Sequence, residues 1–229
     1  MAFRLVPPPD LGPIPPRVYA PPAGLCVVHR DADVMIVNKP AGLLSVPGKS
    51  AGMDDCVEAR ARALAPEARM IHRLDLDTSG VMVLAMNPAA QRHLGLQFER
   101  RHVRKIYEAR VFGRMAISVG RLRLALRGDW PNRPRQIRDE ILGKPAVTDW
   151  EVLWREPLAT RVRLKPWTGR THQLRVHMLW LGHPILGDPL YGAGGARDAA
   201  PGLQLHAAEL ALRSPADGRI ARYTAPPPF

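Results

Sequence analysis

The run His72-Arg73-Leu74-Asp75-Leu76-Asp77-Thr78-Ser79-Gly80 gathers carboxylates, cations, hydroxyls and a glycine between two apolar stretches. Such polar density is costly in a fold unless the loop lines a site, and loops held by a rigid scaffold commonly carry function. A carboxylate presented this way can take up a proton or attack an electrophilic carbon. The competing reading is a solvated turn in which Asp75 or Asp77 pairs with Arg73.

A second run, Lys165-Pro166-Trp167-Thr168-Gly169-Arg170-Thr171-His172-Gln173-Leu174-Arg175-Val176-His177-Met178, reads as a strand end, a glycine turn and a helix. Leu174, Met178 and Leu181 fall on one helical face, and Arg175 lies roughly 100° around from Leu174, at the margin of that stripe. An arginine there is expected to be half-buried and to need an anion. That anion is either a surface carboxylate or, if the helix faces the first loop, Asp75, whose charged form a guanidinium would favour. Tyr107 sits in an alternating strand, where an aromatic by residue type alone is packing. The spacings of His172, His177 and His183 do not gather them on one helical turn, and there is no H-E-x-x-H, P-loop or G-x-G-x-x-G opening a helix. The expectation is chemistry without a metal or a cofactor.

These loops need elements to position them. The runs LCVVH and DVMIVNKP around Arg30-Asp31 predict an opening hairpin, and GVMVLAM predicts a buried strand. Helices are predicted from Asp54 to Leu64, with Asp54 and Asp55 as caps, from Pro88 through Phe98, and over Thr171 to Leu181. KIYEARVFG and residues 120–126, 146–154, 159–165, 203–212 and 219–224 read as strands. Many strands, few helices and no regular βαβ alternation predict an α+β fold with a mixed, mostly antiparallel sheet flanked by helices and loops. No internal repeat is visible. Residues 1–23 carry Pro7, Pro8, Pro9, Pro13, Pro15, Pro16, Pro21 and Pro22 and predict a flexible or surface-hugging arm ahead of a single catalytic domain over residues 24–229.

Composition narrows the partners. Lys and Arg number 33 against 21 Asp and Glu, a formal net charge of +12, so a polyanion is the first partner to consider. An arginine-favouring genome is the plain alternative. The hydrophobic fraction of 46% excludes a disordered chain. Two cysteines, Cys26 and Cys56, provide no disulfide scaffold and suit a reducing cytoplasm. No signal-peptide-like start or membrane-spanning apolar run is present. The basic set Arg100, Arg101, Arg104 and Lys105, with Arg133, Arg135 and Arg138 after Trp130, suits phosphates.

Taken in order, these blocks resemble the RluA family of RNA pseudouridine synthases. His72-Arg73-Leu74-Asp75 with Thr78-Ser79-Gly80 is similar to its signature loop. Asn38-Lys39-Pro40 with Gly42-Leu43, Gly143-Lys144-Pro145-Ala146 and Gly169 through Arg175 are similar to its other blocks, and the likeness runs from about residue 25 to residue 226. Leu44-Ser45-Val46-Pro47-Gly48, Asp129 through Pro134 and His183 through Asp188 are most similar to the branch that acts on both large-subunit (23S) rRNA and the tRNA anticodon stem-loop.

The resemblance implies that fold, with an active-site cleft across the sheet, and an isomerase that needs no cofactor. It implies Asp75 as the catalytic aspartate, Tyr107 as the aromatic under the target base, Arg175 as the partner of Asp75, and Arg73 as the side chain that enters the RNA stack. His72, Arg104, Lys105, Arg133, Arg170 and His172 are the further expected RNA contacts. No separate N-terminal RNA-binding module is expected, and the protein is expected to act as a cytoplasmic monomer. A noncatalytic RNA-binding or ribosome-assembly protein on the same fold, or a synthase for another uridine, are the alternatives.

Overall fold

The computed structural model describes residues 4–229. In chain order the elements are β1 (Cys26–Arg30), β2 (Val34–Lys39), α1 (Val57–Leu64), β3 (Arg69–Met70), β4 (Ser79–Ala85), α2 (Pro88–Glu99), β5 (Arg104–Phe112), β6 (Val119–Gly128), β7 (Gln136–Arg138), β8 (Lys144–Arg155), β9 (Ala159–Pro166), α3 (Gln173–Trp180), β10 (Leu205–Arg213) and β11 (Ile220–Thr224). The strands are mostly antiparallel and the helices few, as the α+β reading expects. The chain divides into two compact units. The first comprises Arg17–Ile106 and His206–Phe229; the second comprises the residues up to Pro16 and Tyr107–Leu205.

In the first unit β1, β2, β4 and β10 are neighbours in that order, with β3 on β4 and β11 on β10. The predicted hairpin is β1–β2, and its turn is held by Asp31, whose Oδ1 accepts from the amides of Asp33 and Val34, both at 2.8 Å. Every residue of β4 is buried, which explains its unbroken apolar run. β4 and β10 run parallel, pairing Ser79 with His206 and Gly80 with Ala207. Gly80 has φ +120°, and a Cβ there would stand 2.3 Å from the Ala207 carbonyl oxygen, so the position admits only glycine. Val34, Ile36, Val81 and Val83 form the core with Ala90 and Leu94 of α2. Helix α2 starts where predicted because Asn87 caps it, accepting from the Ala90 amide at 2.8 Å, with Pro88 in its first turn. Helix α1 starts later than predicted. Cys56 is its cap, and Asp55 instead binds the Arg60 guanidinium through both oxygens, each at 2.7 Å.

The second unit holds the antiparallel order β5, β9, β8, β6, β7. Its core combines Val111, Leu122, Leu124, Val162 and Leu164 with Leu174, Val176 and Met178 of α3. Two expectations about α3 change. It runs from Gln173 to Trp180, not from Thr171 to Leu181, and all of it from Gln173 to Leu179 is buried. It is therefore no amphipathic surface helix: strands β6, β7 and β8 lie against it, and the proline-rich arm covers it further.

That arm hugs its unit. The Val6 amide donates to the Trp180 carbonyl at 2.9 Å, and Leu5, Leu11 and Ile14 pack on the core. Arg135, expected to grip phosphate, is buried; it donates to the carbonyls of Gly12 (2.7 Å), Leu11 (3.1 Å) and Leu190 (2.9 Å). Its charge holds the arm because prolines leave carbonyls without matching amides to pair them.

Candidate active site

In the first unit, the loop before β4 is bound to the segment after β2. Ser45 Oγ donates to the Leu74 carbonyl at 2.7 Å and accepts from the Leu74 amide at 3.1 Å. The Leu76 carbonyl accepts from the Gly42 amide at 2.9 Å and from Lys39 Nζ at 3.0 Å. Both neighbours of Asp75 are thus fixed by residues more than twenty positions away. Within the loop, the Thr78 amide donates to the Asp75 carbonyl at 3.1 Å and closes a turn around the carboxylate. Asp75 itself is half-buried and Arg73 exposed.

Lys39 organises this arrangement. It is fully buried at the end of β2 and donates to Leu43 (2.6 Å), Pro40 (3.0 Å) and Leu76 (3.0 Å). Burial pushes its amine down to about 7, and the charges of Asp77 and Asp75 oppose that shift. Three carbonyl acceptors match the three protons of an ammonium and favour the charged form further. Lys39 belonged to a recognised block, but nothing local in the sequence showed that its side chain points inward.

The loop's C-terminal end is fixed as well. Ser79 Oγ lies 2.8 Å from His206 Nδ1, and His206 Nε2 lies 3.1 Å from the Ala225 carbonyl. A carbonyl only accepts, so the His206 proton sits on Nε2 and Ser79 donates to Nδ1. The solvated-turn reading is altered too: Asp77 pairs with Arg17, sixty residues away in sequence.

His72, expected to contact RNA, is engaged within the fold. Its Nε2 accepts from the Val83 amide at 3.1 Å, and its ring stacks on Phe98 at 4.6 Å. Burial, then the neighbouring charge of Lys105, push it down to about 3, so it is neutral. Arg104 is exposed, whereas Lys105 is half-buried and its amine is pushed down by burial and by Arg101.

In the second unit the surroundings of Arg175 depart from expectation. The side chain is buried, not half-buried, and forks onto Asp188, with Nε to Oδ2 at 2.8 Å and Nη2 to Oδ1 at 2.6 Å. Asp188 Oδ1 also accepts from the amides of Leu190 (2.9 Å) and Tyr191 (3.0 Å), and the guanidinium carbon lies 5.1 Å from the Tyr191 ring centre. Arg175 therefore has a buried counterion thirteen residues ahead. The sequence signal was the acid that ends the run His183-Pro184-Ile185-Leu186-Gly187-Asp188, a block that carries the resemblance but whose Asp188 had no chemical role attached to it.

His172 is buried at the start of α3 with φ +53° and lies 2.8 Å from the Tyr191 hydroxyl, which accepts from the Gln136 amide at 2.7 Å. His172 and Arg175 thus meet around Tyr191. Tyr107 is half-buried on β5, opposite Leu164 of β9. Arg170 Nε donates to the Pro145 carbonyl at 3.2 Å, joining two of the recognised blocks. Arg133 lies exposed over the exposed Trp130 ring at 3.9 Å, and Arg138 is bound to Glu140 at 2.5 Å. Among the described residues, no three His, Cys, Asp or Glu side chains group as metal ligands, and no helix is long and apolar enough to cross a membrane.

The profile of the family described as RNA pseudouridylate synthase matches residues 33–180. The chain is 48% identical to the Dual-specificity RNA pseudouridine synthase RluA of Escherichia coli (strain K12), over 92% of this chain and 98% of that protein. It is 45% identical to the protein of the same name in Haemophilus influenzae, with the same coverage. Among solved structures it resembles Human RNA Pseudouridylate Synthase Domain Containing 1, with a TM-score of 0.76 at 32% identity, over 92% of this chain and 87% of that one. Human RNA Pseudouridylate Synthase Domain Containing 4 superposes with a TM-score of 0.70 at 26% identity, over 89% and 88% of the two chains. The ordered sequence blocks, the loop built around an aspartate and the extent of these matches lead to one assignment: the chain belongs to the RNA pseudouridylate synthase family and is an isomerase that converts uridine in RNA to pseudouridine.

Proposed function

We propose that this enzyme modifies specific uridines in large-subunit rRNA and in the tRNA anticodon stem-loop, using Asp75 as its catalytic carboxylate. The observation that carries the catalytic assignment is the bonding of Leu74 and Leu76, which fixes the backbone on both sides of a half-buried Asp75. The two RNA classes rest on the sequence resemblance and on relatives whose name includes dual specificity. The catalytic domain is taken as residues 24–229, acting as a monomer on cytoplasmic RNA.

The reaction breaks the N1–C1′ bond, turns the uracil and forms a C5–C1′ bond; the C5 proton leaves and N1 takes one up. Nothing is oxidised and no water is consumed, so one carboxylate at the ribose and a pocket that retains the base meet the chemical demand. Two roles for Asp75 fit this course, addition to the sugar or removal of a sugar proton. The target nucleotide must leave its stack, at a cost of a few kcal/mol. Tyr107, with its ring position set by β5 and β9, supplies the stacking surface for the uracil, and Arg73 fills the vacated place in the RNA. Arg175 is the cation assigned to Asp75, its guanidinium oriented by the fork to Asp188.

The test is to incubate wild-type and Asp75→Asn protein with unmodified total RNA and map pseudouridine at single-nucleotide resolution. Sites in both RNA classes formed only by wild type are expected. Equal modification by both proteins would remove Asp75 from the chemistry. Binding without modification by folded wild type would favour a noncatalytic RNA-binding protein.

A further inference from the structure

The segment Arg17–Pro22 precedes the sequence blocks that carry the resemblance, and it contacts both parts of the loop assembly in the first unit. Arg17 Nη1 donates to Asp77 Oδ1, two residues beyond Asp75; the Arg17 side chain is 47% exposed and Asp77 only 14%. The Tyr19 hydroxyl accepts from the Leu44 amide at 3.1 Å and donates to the Asp55 carbonyl at 2.6 Å. Leu44 precedes Ser45, which holds Leu74. Pro22 Cδ and Arg17 Nη2 lie 3.6 and 4.0 Å from where a Gly42 Cβ would stand, and the Gly42 amide holds the Leu76 carbonyl. The strap therefore backs Gly42, whose amide holds Leu76, and Leu44, the neighbour of Ser45 that holds Leu74, and it pairs directly with the loop at Asp77.

Charge makes the contact more than packing. Asp75 and Asp77 both lie in the field of Lys39, whose Nζ donates to three carbonyls. Arg17 is the residue that forms the ion pair with Asp77. A half-exposed pair adds little to global stability, so its effect is on the geometry of the loop. Pro21 and Pro22 fix φ along the strap and lower the entropy lost in ordering it.

We propose that Arg17 and Tyr19 are positioning residues of the active site, holding the Asp75 loop in its reactive geometry through Asp77 and Leu44. This rests on the assignment of Asp75 to the chemistry. The experiment compares full-length wild type, Arg17→Ala, Tyr19→Phe and the exchanged pair Arg17→Asp/Asp77→Arg. For each, the single-turnover rate at saturating enzyme, the RNA affinity and amide hydrogen exchange at Leu74 and Thr78 are measured.

Arg17→Ala and Tyr19→Phe are expected to slow the single-turnover rate about tenfold, because small displacements at a reacting group cost that much or more. RNA affinity stays within about threefold, roughly one phosphate contact at most. The exchanged pair recovers most of the rate, and the two loop amides exchange faster in the single variants. An unchanged saturating rate with weakened RNA binding would overturn the proposal, making Arg17 a plain phosphate contact. Failure of the exchanged pair to recover the rate would also overturn the role of the ion pair. If wild type forms no pseudouridine, the assignment of Asp75 fails; loop exchange then decides the strap alone, with unchanged exchange in Arg17→Ala refuting it.

Discussion

At the scale of single residues, buried charge is the feature with the largest energetic consequence. Arg175 and Asp188 are each almost wholly enclosed. Removing one partner of such a pair strands the other, which typically costs about 3–5 kcal/mol. Asp188→Asn is expected to lower the denaturant midpoint accordingly, and Arg175→Lys to recover little, since an ammonium cannot reproduce the fork. Two buried histidines predict a contribution to acid sensitivity. His177 is fully buried, neither ring nitrogen is hydrogen-bonded among the described residues, and burial pushes it down to about 3, the same as His72. Both are neutral in the fold but take a proton near 6.5 when unfolded. Their contribution is intact above about 6.5 and is lost as pH falls from there toward 3, at about 1.4 kcal/mol per pH unit for each group. His177→Leu should flatten the stability-versus-pH curve between pH 6 and pH 4, as followed by urea titration; an unchanged slope would mean that His177 is protonated in the fold.

At the scale of elements, the strands and α2 were legible because their signals are local. Alternation marks a strand with one buried face, and Asn87-Pro88 marks a helix start. Asn87→Ala should cost about 1 kcal/mol. The start of α1 was misread because Asp54 and Asp55 are both plausible caps by type, while Arg60 engages Asp55 from within the helix. The burial of α3 was misread because its outer cover is the arm, joined through Val6 to Trp180 from the far end of the sequence. Gly80 lies so close to Ala207 that an added Cβ would stand 2.3 Å from its carbonyl oxygen. Gly80→Ala is expected to cost about 3 kcal/mol, and to reduce activity beyond its effect on folding, because the β4–β10 contact carries the Ser79–His206 bond beside the loop. Comparing melting with turnover at a temperature where the variant remains folded separates the two effects.

At the scale of the molecule, a net charge of +12 predicts salt-sensitive RNA binding. Tertiary structure sorts the cations that produce it. Arg110, Arg121, Arg127 and Arg161 are held by Glu156, Asp149, Asp139 and Glu108, and Arg135 is buried among carbonyls. Arg73, Arg104 and Arg133 are exposed. Arg133→Ala should therefore reduce the slope of log affinity against log salt by about one, with little effect on the saturating rate, whereas Arg135→Ala should act through stability. Equilibrium binding over a salt series distinguishes them.

The sequence by itself determined the family, the α+β class and the loop that carries Asp75, because chemistry-bearing blocks and strand periodicity are written in neighbouring residues. Only the tertiary structure decided which partners hold them. Lys39 reaches Leu76 across 37 positions, Arg17 reaches Asp77 across 60, and Ser79 reaches His206 across 127. The same holds over short separations: Arg175 chose Asp188 over any surface carboxylate because both are enclosed, and an enclosed charge requires its counterion within hydrogen-bond reach. Residue types announce that such a demand exists; the packing of the chain determines what satisfies it.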